Sequence, residues 1–158
     1  MKKLFLILLV LGMTPALAIA GDAKDDAKLT KKEIKKIKTE REVDSLMVTQ
    51  DFRFEPYMLT IRNRGNAGTY NESRTNYISV HNGWLDSKLV YGGLGFNFAP
   101  TRSEKIDNTW YYDMVADSQI AKITYEFVVK ADTGEAVVKI RSNRVGGDYI
   151  YNGYIVPN

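Results

Sequence analysis

The chain has 158 residues, of which 44% are hydrophobic and 26% charged, a composition that fits one globular domain rather than a disordered chain. The formal net charge is +3, and residues 45–158 carry 12 basic and 12 acidic side chains, too little positive charge to hold nucleic acid or an anionic membrane. Because the sequence has no cysteine, it excludes disulfides, thiolate zinc sites and a lipoprotein anchor.

Residues 1–20 have the three parts of an export signal. Lys2 and Lys3 precede an apolar run that is followed by small residues. Cleavage is expected before Gly21, because Pro15 interrupts the apolar stretch and leaves it short for an uncleaved membrane anchor. The pattern therefore predicts a periplasmic or secreted protein that has no membrane span after cleavage.

Residues 21–44 are predicted to form a charged linker and a helix, with eight Lys or Arg and seven Asp or Glu residues. Thr30 and Glu33 have the spacing of a capping box, which indicates where the helix begins. We expect a helix from about Lys31 to Asp44. Its apolar stripe is narrow, so the helix should lie on the rest of the protein by a thin seam or stand partly in solvent.

Residues 45–158 are predicted to form a β-rich domain. Between Leu46 and Ile61 the pattern favours two short strands broken at Pro56, because proline cannot donate a hydrogen bond to a central ladder. The polar stretch Asn63–Asn76 is predicted to be a loop.

The clearest hairpin signal lies in the middle of the chain. The dipeptide Asn82-Gly83 tolerates the positive φ angles of a type I′ turn, and strand-like runs flank it. A glycine-rich bend into a short strand at Phe96–Phe98 follows. Residues 100–117 are apolar without a clean period, so only a loop with a short strand or turn is expected there.

The last forty residues predict three consecutive antiparallel strands. Ile123 and Phe127 belong to one alternating run, and Val138 and Ile140 belong to the next, with their side chains on one buried face. An aromatic run from Tyr149 forms the third strand. The fold class expected is mainly β, an antiparallel open barrel or sandwich of about seven to nine strands preceded by one charged helix.

Several C-terminal motifs resemble a known family. Gly92-Gly93 leading to Phe96-Asn97-Phe98, then Ser142-Asn143-Arg144, and the run that begins at Tyr149 and includes Asn152-Gly153 are similar to domain-of-unknown-function family 4251. The resemblance implies an exported protein of the kind found in anaerobic Gram-negative gut bacteria. It implies a location and a type of fold, and it assigns no catalytic residue.

His81 is the only histidine, so an imidazole base or a serine triad has to use it. Ser79 is two residues away on the same predicted strand, but no nucleophile elbow accompanies the pair. We therefore predict no catalytic residue. The dispersed acidic residues offer no spaced ligand set, so no metal site and no cofactor are predicted either.

Aromatic side chains are the remaining candidates for a ligand site. At least one ring of the consecutive residues 110–112 must face outward from an extended strand, and exposed rings can stack on sugars or peptide groups. The predicted ligand-binding residues are Trp84, Trp110, Tyr111, Tyr112, Tyr149 and Tyr151.

Three functional hypotheses follow from these patterns. The first is an exported, non-enzymatic binding or envelope-associated module for a small or extended ligand, such as a small molecule or glycan, with an aromatic-lined pocket. The second is a hydrolase that uses His81 next to a serine or an acid in a cleft. The third is a structural partner of another envelope protein, which predicts an exposed apolar patch or an unpaired sheet edge.

Overall fold

One helix and one antiparallel sheet make up the fold, as shown by a computed structural model that describes residues 30–63, 66–73, 75–89, 95–117, 121–144 and 146–158. The predicted export signal lies outside these described residues. Helix α1 spans Lys31–Thr49. The ten strands found among the described residues are β1 (Phe52–Asn63), β2 (Asn66–Asn71), β3 (Ile78–His81), β4 (Trp84–Ser87), β5 (Phe96–Asn97), β6 (Pro100–Ile106), β7 (Thr109–Asp117), β8 (Lys122–Lys130), β9 (Glu135–Ser142) and β10 (Asp148–Val156).

The strands form a single sheet that curls into a half-barrel. Their order is β5-β4-β3-β1-β10-β9-β8-β7-β6, and β2 pairs with β1 outside this path. The two end strands are consecutive in the chain, with only Phe98 and Ala99 between them. Three peptide units span at most about 11 Å, so the curl brings the two ends of the sheet close together. The predicted mainly β class is confirmed, in its open-barrel form and with one strand more than the expected range.

The inner face of the sheet carries an aromatic core. Phe127 on β8 meets Phe52, Phe54 and Tyr112 with ring centroids 5.8, 6.2 and 6.1 Å apart, each pair edge to face, and all four side chains are fully buried. Edge-to-face contacts are favourable geometries for aromatic pairs. The core therefore joins strands that are distant in the sequence.

The three predicted C-terminal strands are confirmed as β8, β9 and β10. The inner face carries Phe127, Val138 and Ile140, each at most 1% exposed. Cross-strand pairs such as Phe127 with Val138 and Val138 with Tyr151 set the antiparallel register. The alternation of the sequence and the alternation of burial thus coincide in this part of the chain.

The capping box at the start of α1 is confirmed, since Thr30 accepts a hydrogen bond from the backbone of Glu33 and the Glu33 carboxylate accepts one from the backbone of Thr30. The predicted end at Asp44 is wrong, because the helix runs on to Thr49. The additional turn is held by burial of Val43 and Met47, which lie four residues apart on one face.

Polar contacts also fix the helix on the sheet. The Asp44 carboxylate accepts a hydrogen bond from Trp110 Nε1 at 2.7 Å and from Lys105 Nζ at 2.8 Å. Glu40 accepts a second bond from Lys105 at 2.9 Å. The hydrogen bond from Lys105 to Asp44 raises the pKa of the Lys105 ammonium above its ordinary value. The helix therefore docks through a buried indole N–H as well as through apolar contacts.

Replacing Asp44 by alanine is expected to destabilise the fold by about 1–3 kcal/mol, because the indole N–H of buried Trp110 then has no acceptor. Asp44→Asn keeps an oxygen that can accept this bond, so its loss should be smaller. Urea unfolding of both variants against the wild type measures the difference. Equal stability of the alanine and asparagine variants would contradict the role of the Trp110 bond.

Two expectations for residues 46–76 are wrong. Strand β1 runs through Pro56 without a break. On the side of β1 away from β10, β3 pairs only with residues 52–54 and β2 pairs only with residues 58–63. Pro56 lies in the gap between them, where no amide donor is needed, and a register irregularity follows it. The predicted loop contains β2, whose exposed side chains, such as Tyr70, leave no alternating pattern to detect.

The expectation for residues 100–117 is also wrong, because this segment forms the hairpin of β6 and β7. Strand β7 places Trp110 and Tyr112 inside and the half-buried ring of Tyr111 outside, so aromatic residues on both faces hide the two-residue period. The requirement that one ring of residues 110–112 face outward is confirmed.

Candidate functional site

The β3–β4 hairpin forms as predicted from Asn82-Gly83. These two residues have φ angles of 49° and 76°, the left-handed values that a type I′ turn requires at both central positions. The turn pairs His81 directly with Trp84, and Val80 with Leu85. Because side chains alternate between the two faces, Val80 and Leu85 enter the core while His81 and Trp84 face outward.

We call the outward surface next to this turn the Trp84 surface; it consists of Asp51, Ser79, His81, Trp84 and Asn158. Trp84 is 46% exposed. A Cβ atom built on Gly95 would lie only 2.8 Å from its Cζ2, so the indole ring rests directly on the Gly95 backbone. The ring thus has one supported side, and the residue directly opposite Trp84 on β3 is His81.

His81 is held at both ring nitrogens. Its Nδ1 lies 3.0 Å from Asp51 Oδ1, and its Nε2 lies 2.7 Å from Asn82 Nδ2. An amide nitrogen can only donate, so Nε2 accepts this bond and Nδ1 carries the proton that faces Asp51. The lone pair that a general base needs at Nε2 is therefore already engaged.

Asn158 ties the polar part of the Trp84 surface together. Its amide nitrogen donates to Asp51 Oδ1 at 2.7 Å and to the Val80 carbonyl oxygen at 2.9 Å, and its Oδ1 accepts from Ser79 Oγ at 2.7 Å. Asp51 thus accepts hydrogen bonds from Asn158 and from His81. The bond from Asn158 first, and then the bond from His81, lower the pKa of the Asp51 carboxyl below its ordinary value. The carboxylate is thus kept ionised and oriented.

The neighbouring outward surface is also aromatic and charged. The guanidinium of Arg53 lies 4.2 Å and the ammonium of Lys88 lies 5.0 Å from the Tyr77 ring centroid. The Tyr77 hydroxyl donates to Asp86 Oδ2 at 3.3 Å. Asp86 and Ser79 are cross-strand partners, so this cluster is continuous with the Trp84 surface.

The six aromatic residues predicted to bind a ligand do not lie together. Trp110, Tyr112, Tyr149 and Tyr151 are each at most 8% exposed and belong to the core. Tyr111 reaches the outer face of β7, with the Arg102 guanidinium 4.4 Å from its ring centroid. Of the six, Trp84 alone combines a largely exposed ring with fixed polar neighbours.

Two residues of the Trp84 surface were missed by sequence reasoning, Asp51 and Asn158. Asp51 follows the left-handed C-cap of α1 at Gln50, and Asn158 follows β10. Neither position belongs to a periodic pattern or a spaced motif. They are 107 positions apart in the sequence, so no local signal could have paired them.

Among the described residues, surface depressions also lie away from the Trp84 surface. One, of about 830 Å³, lies between the start of α1 and the turn at Asp132-Thr133. The other, of about 760 Å³, is lined by Arg62, Asn63, Gly146, Gly147 and Asp148. The described residues that line them include no aromatic ring, unlike the pocket expected for a binding module.

Within the described residues, no three His, Asp or Glu side chains cluster as a metal ion requires. Over those ranges, too, no helix is long and apolar enough to cross a membrane.

Comparison with known proteins addresses the fold. No family model matches the chain, and no curated protein sequence matches it. Among solved structures, it is similar to the crystal structure of a DUF4251 family protein from Bacteroides eggerthii DSM 20697, with a TM-score of 0.59 and 15% identity over 75% of this chain and 87% of that one. The chain has a DUF4251-like fold. The resemblance seen in the sequence is thus confirmed for the fold, and the DUF4251-like fold assigns no role to any residue.

Proposed function

We propose that the protein is an exported, non-enzymatic binding module whose Trp84 surface binds a glycan. The observation that carries this proposal is the exposed indole of Trp84, which is supported by Gly95 and belongs to the residue directly opposite His81, the partner of the Asp51 carboxylate. The apolar face of a sugar ring can stack on an indole, while its hydroxyl groups donate to the remaining lone pairs of the Asp51 carboxylate and of the Asn158 amide oxygen. Export is supported by the signal-like residues 1–20.

Pre-organisation favours this function over looser surface contacts. Asn158 is bonded to three partners, and Asp51 is held by both Asn158 and His81. A ligand that meets polar groups already in place loses less conformational freedom on binding. Residues near the surface can extend the contact, since Tyr77 and Asp86 are adjacent.

The hydrolase alternative is less well supported by the geometry. The structure brings His81 next to an acid, Asp51, but the imidazole is 56% exposed and does not lie in a cleft. Ser79 donates its hydroxyl to Asn158 rather than to His81, and His81 Nε2 is bonded to Asn82. The pair of Asp51 and His81 therefore orients polar groups without activating a nucleophile.

A structural role is the second candidate function, because the outer face also carries exposed apolar rings away from the Trp84 surface. Tyr57 and Tyr154 are 49% and 45% exposed, and their ring centroids are 5.6 Å apart. Val128 and Val137 form an exposed cross-strand pair on the same face. Such features are typical of a surface that contacts another protein.

Replacing Trp84 by alanine is expected to weaken glycan binding by about 10- to 100-fold, because the stacking surface is removed. Isothermal titration calorimetry of the full chain and of the variant with gluco-, xylo- and N-acetylglucosamine oligosaccharides measures binding without depending on the indole that the substitution removes. In the wild type, tryptophan fluorescence gives a second, local signal. The chain has two tryptophans, and Trp110 is buried, so a ligand-induced change should come from Trp84.

Tyr154→Ala is the matched control, because Tyr154 has almost the same exposure as Trp84 and lies on another strand. This variant should bind as the wild type does. Binding of an oligosaccharide that is equally strong in the Trp84 variant, or no binding by any oligosaccharide of the panel, would overturn the proposal.

A further inference from the structure

Strand β6 presents an open edge at one end of the sheet. Among the described residues it pairs with β7 alone. Ser103 and Glu104 are exposed, and Ile106 is 48% exposed. An exposed sheet edge offers unpaired backbone amides and carbonyls to another strand. A strand of a second molecule can therefore pair with β6 and continue the sheet.

The backbone groups that face outward follow from the hairpin geometry. Asp107-Asn108 is a two-residue turn with Asp107 at a φ of 52°, so Ile106 and Thr109 form the hydrogen-bonded pair that closes it. Residues along an antiparallel strand alternate between bonding one neighbour and the other. The amides and carbonyls of Ser103 and Lys105 thus face away from β7.

The side chains around Ser103 are complementary to themselves. Arg102 precedes it and Glu104 follows it, and both lie on the outer face of the sheet opposite Asp113 and Tyr111. If two copies of β6 pair antiparallel about a two-fold axis at Ser103, Arg102 of each copy stands opposite Glu104 of the other. We propose that the protein forms a homodimer through this pairing of β6 strands.

Arg102 is already positioned for such a contact. Its Nε lies 2.6 Å from Glu104 Oε1, and its guanidinium lies over the Tyr111 ring. The bond to Glu104 uses one of the five N–H donors of the group, so the others can bond the Glu104 carboxylate of the second copy. The residues facing each other form non-hydrogen-bonded pairs, in which side chains approach most closely.

Charge also selects a second copy over other occupants of the edge. Pro100 and Arg102 are residue types that protect an edge against unspecific strand addition. An apolar strand from another protein would place no charge opposite Arg102 or Glu104, which would keep only their bond to each other. A second copy adds an opposite charge across from each of them, so the edge favours its own sequence over an apolar strand.

Two charge reversals test the dimer. In Arg102→Glu, positions 102 and 104 are both acidic, and in Glu104→Arg both are basic, so each variant opposes like charges across the two-fold axis. Sedimentation equilibrium of the full chain over a wide concentration range measures the dissociation constant of the dimer. This constant should be at least about tenfold higher for each variant than for the wild type. Added salt should weaken the wild-type dimer as well.

The mixed sample distinguishes pairing from a general loss of structure. An equimolar mixture of the two variants restores opposite charges on both sides of the axis, so it should form a heterodimer with nearly wild-type affinity. The double variant Arg102→Glu/Glu104→Arg should again form a homodimer. Arg141→Glu reverses a charge on central strand β9, which is paired on both sides, and should leave dimerisation unchanged.

A wild-type chain that stays monomeric over the whole range would overturn the proposal, and so would a mixture that fails to associate while the wild type dimerises. Occupation of the edge by a strand of another protein in place of a second copy would overturn it equally. The β6 edge and the Trp84 surface use different strands, so failure of one proposal leaves the other standing.

Discussion

Replacing Phe127 by alanine is expected to lower the free energy of unfolding by about 3–5 kcal/mol, the usual cost of removing a buried phenylalanine ring. Phe127 is fully buried and meets the rings of Phe52, Phe54 and Tyr112. These partners come from β1 and β7, so they cannot all move into the space left by the ring. The variant combines lost apolar burial with a cavity between strands.

Val128→Ala is the control for this measurement. Val128 is the next residue of β8, points to the outer face and is 38% exposed, so its truncation should cost no more than about 1 kcal/mol. Urea unfolding monitored by circular dichroism gives both free energies. A Phe127 variant that loses no more stability than the Val128 variant would show that the aromatic cluster does not hold the strands together.

Replacing Gly153 by alanine is expected to have the second large effect, a loss of about 3 kcal/mol or more, by overpacking. A Cβ atom at this position would lie 2.3 Å from the Glu55 carbonyl oxygen and 2.7 Å from Phe54 Cε2. Gly153 is paired with Pro56 immediately before the irregularity in β1. The backbone of β1 would have to move away from β10, the strand with which β1 forms its longest pairing.

Gly146→Ala provides the matched comparison, because a Cβ atom built on Gly146 meets nothing within 4 Å. The same chemical change should there alter stability by less than about 0.5 kcal/mol. Thermal and urea unfolding of both variants measure the contrast. If alanine at position 153 is tolerated as well as at position 146, the close approach of β1 and β10 does not depend on glycine.

The stability and function predictions concern different faces of the sheet. The inner face holds the rings that the first two variants disturb, whereas the Trp84 surface and the β6 edge are outside. Trp84→Ala should therefore change binding while leaving the unfolding midpoint close to that of the wild type, and Arg102→Glu should do the same at concentrations where both chains are monomeric. A midpoint measurement for each functional variant checks this separation.

The sequence alone determined the elements whose signals are local. The capping box at Thr30 and Glu33, the Asn82-Gly83 turn and the alternation in β8, β9 and β10 each involve residues close together in the chain, so their chemistry selects the local backbone directly. The mainly β class followed from the same signals, whereas the DUF4251-like fold was implied by the resemblance of motifs such as Ser142-Asn143-Arg144 and is confirmed by the similar solved structure. Strands without a buried face, such as β2 and β6, gave no alternation and were missed.

Only the tertiary structure decided which aromatic rings are inside and which polar groups meet. A tyrosine fits either face of a strand, so Tyr112 in the core and Tyr111 outside could be told apart only from the strand order and register. Asp51 and Asn158 meet across 107 positions of sequence. Contacts at that separation exist only once the sheet has curled, because no local preference of the chain encodes a distance between residues so far apart.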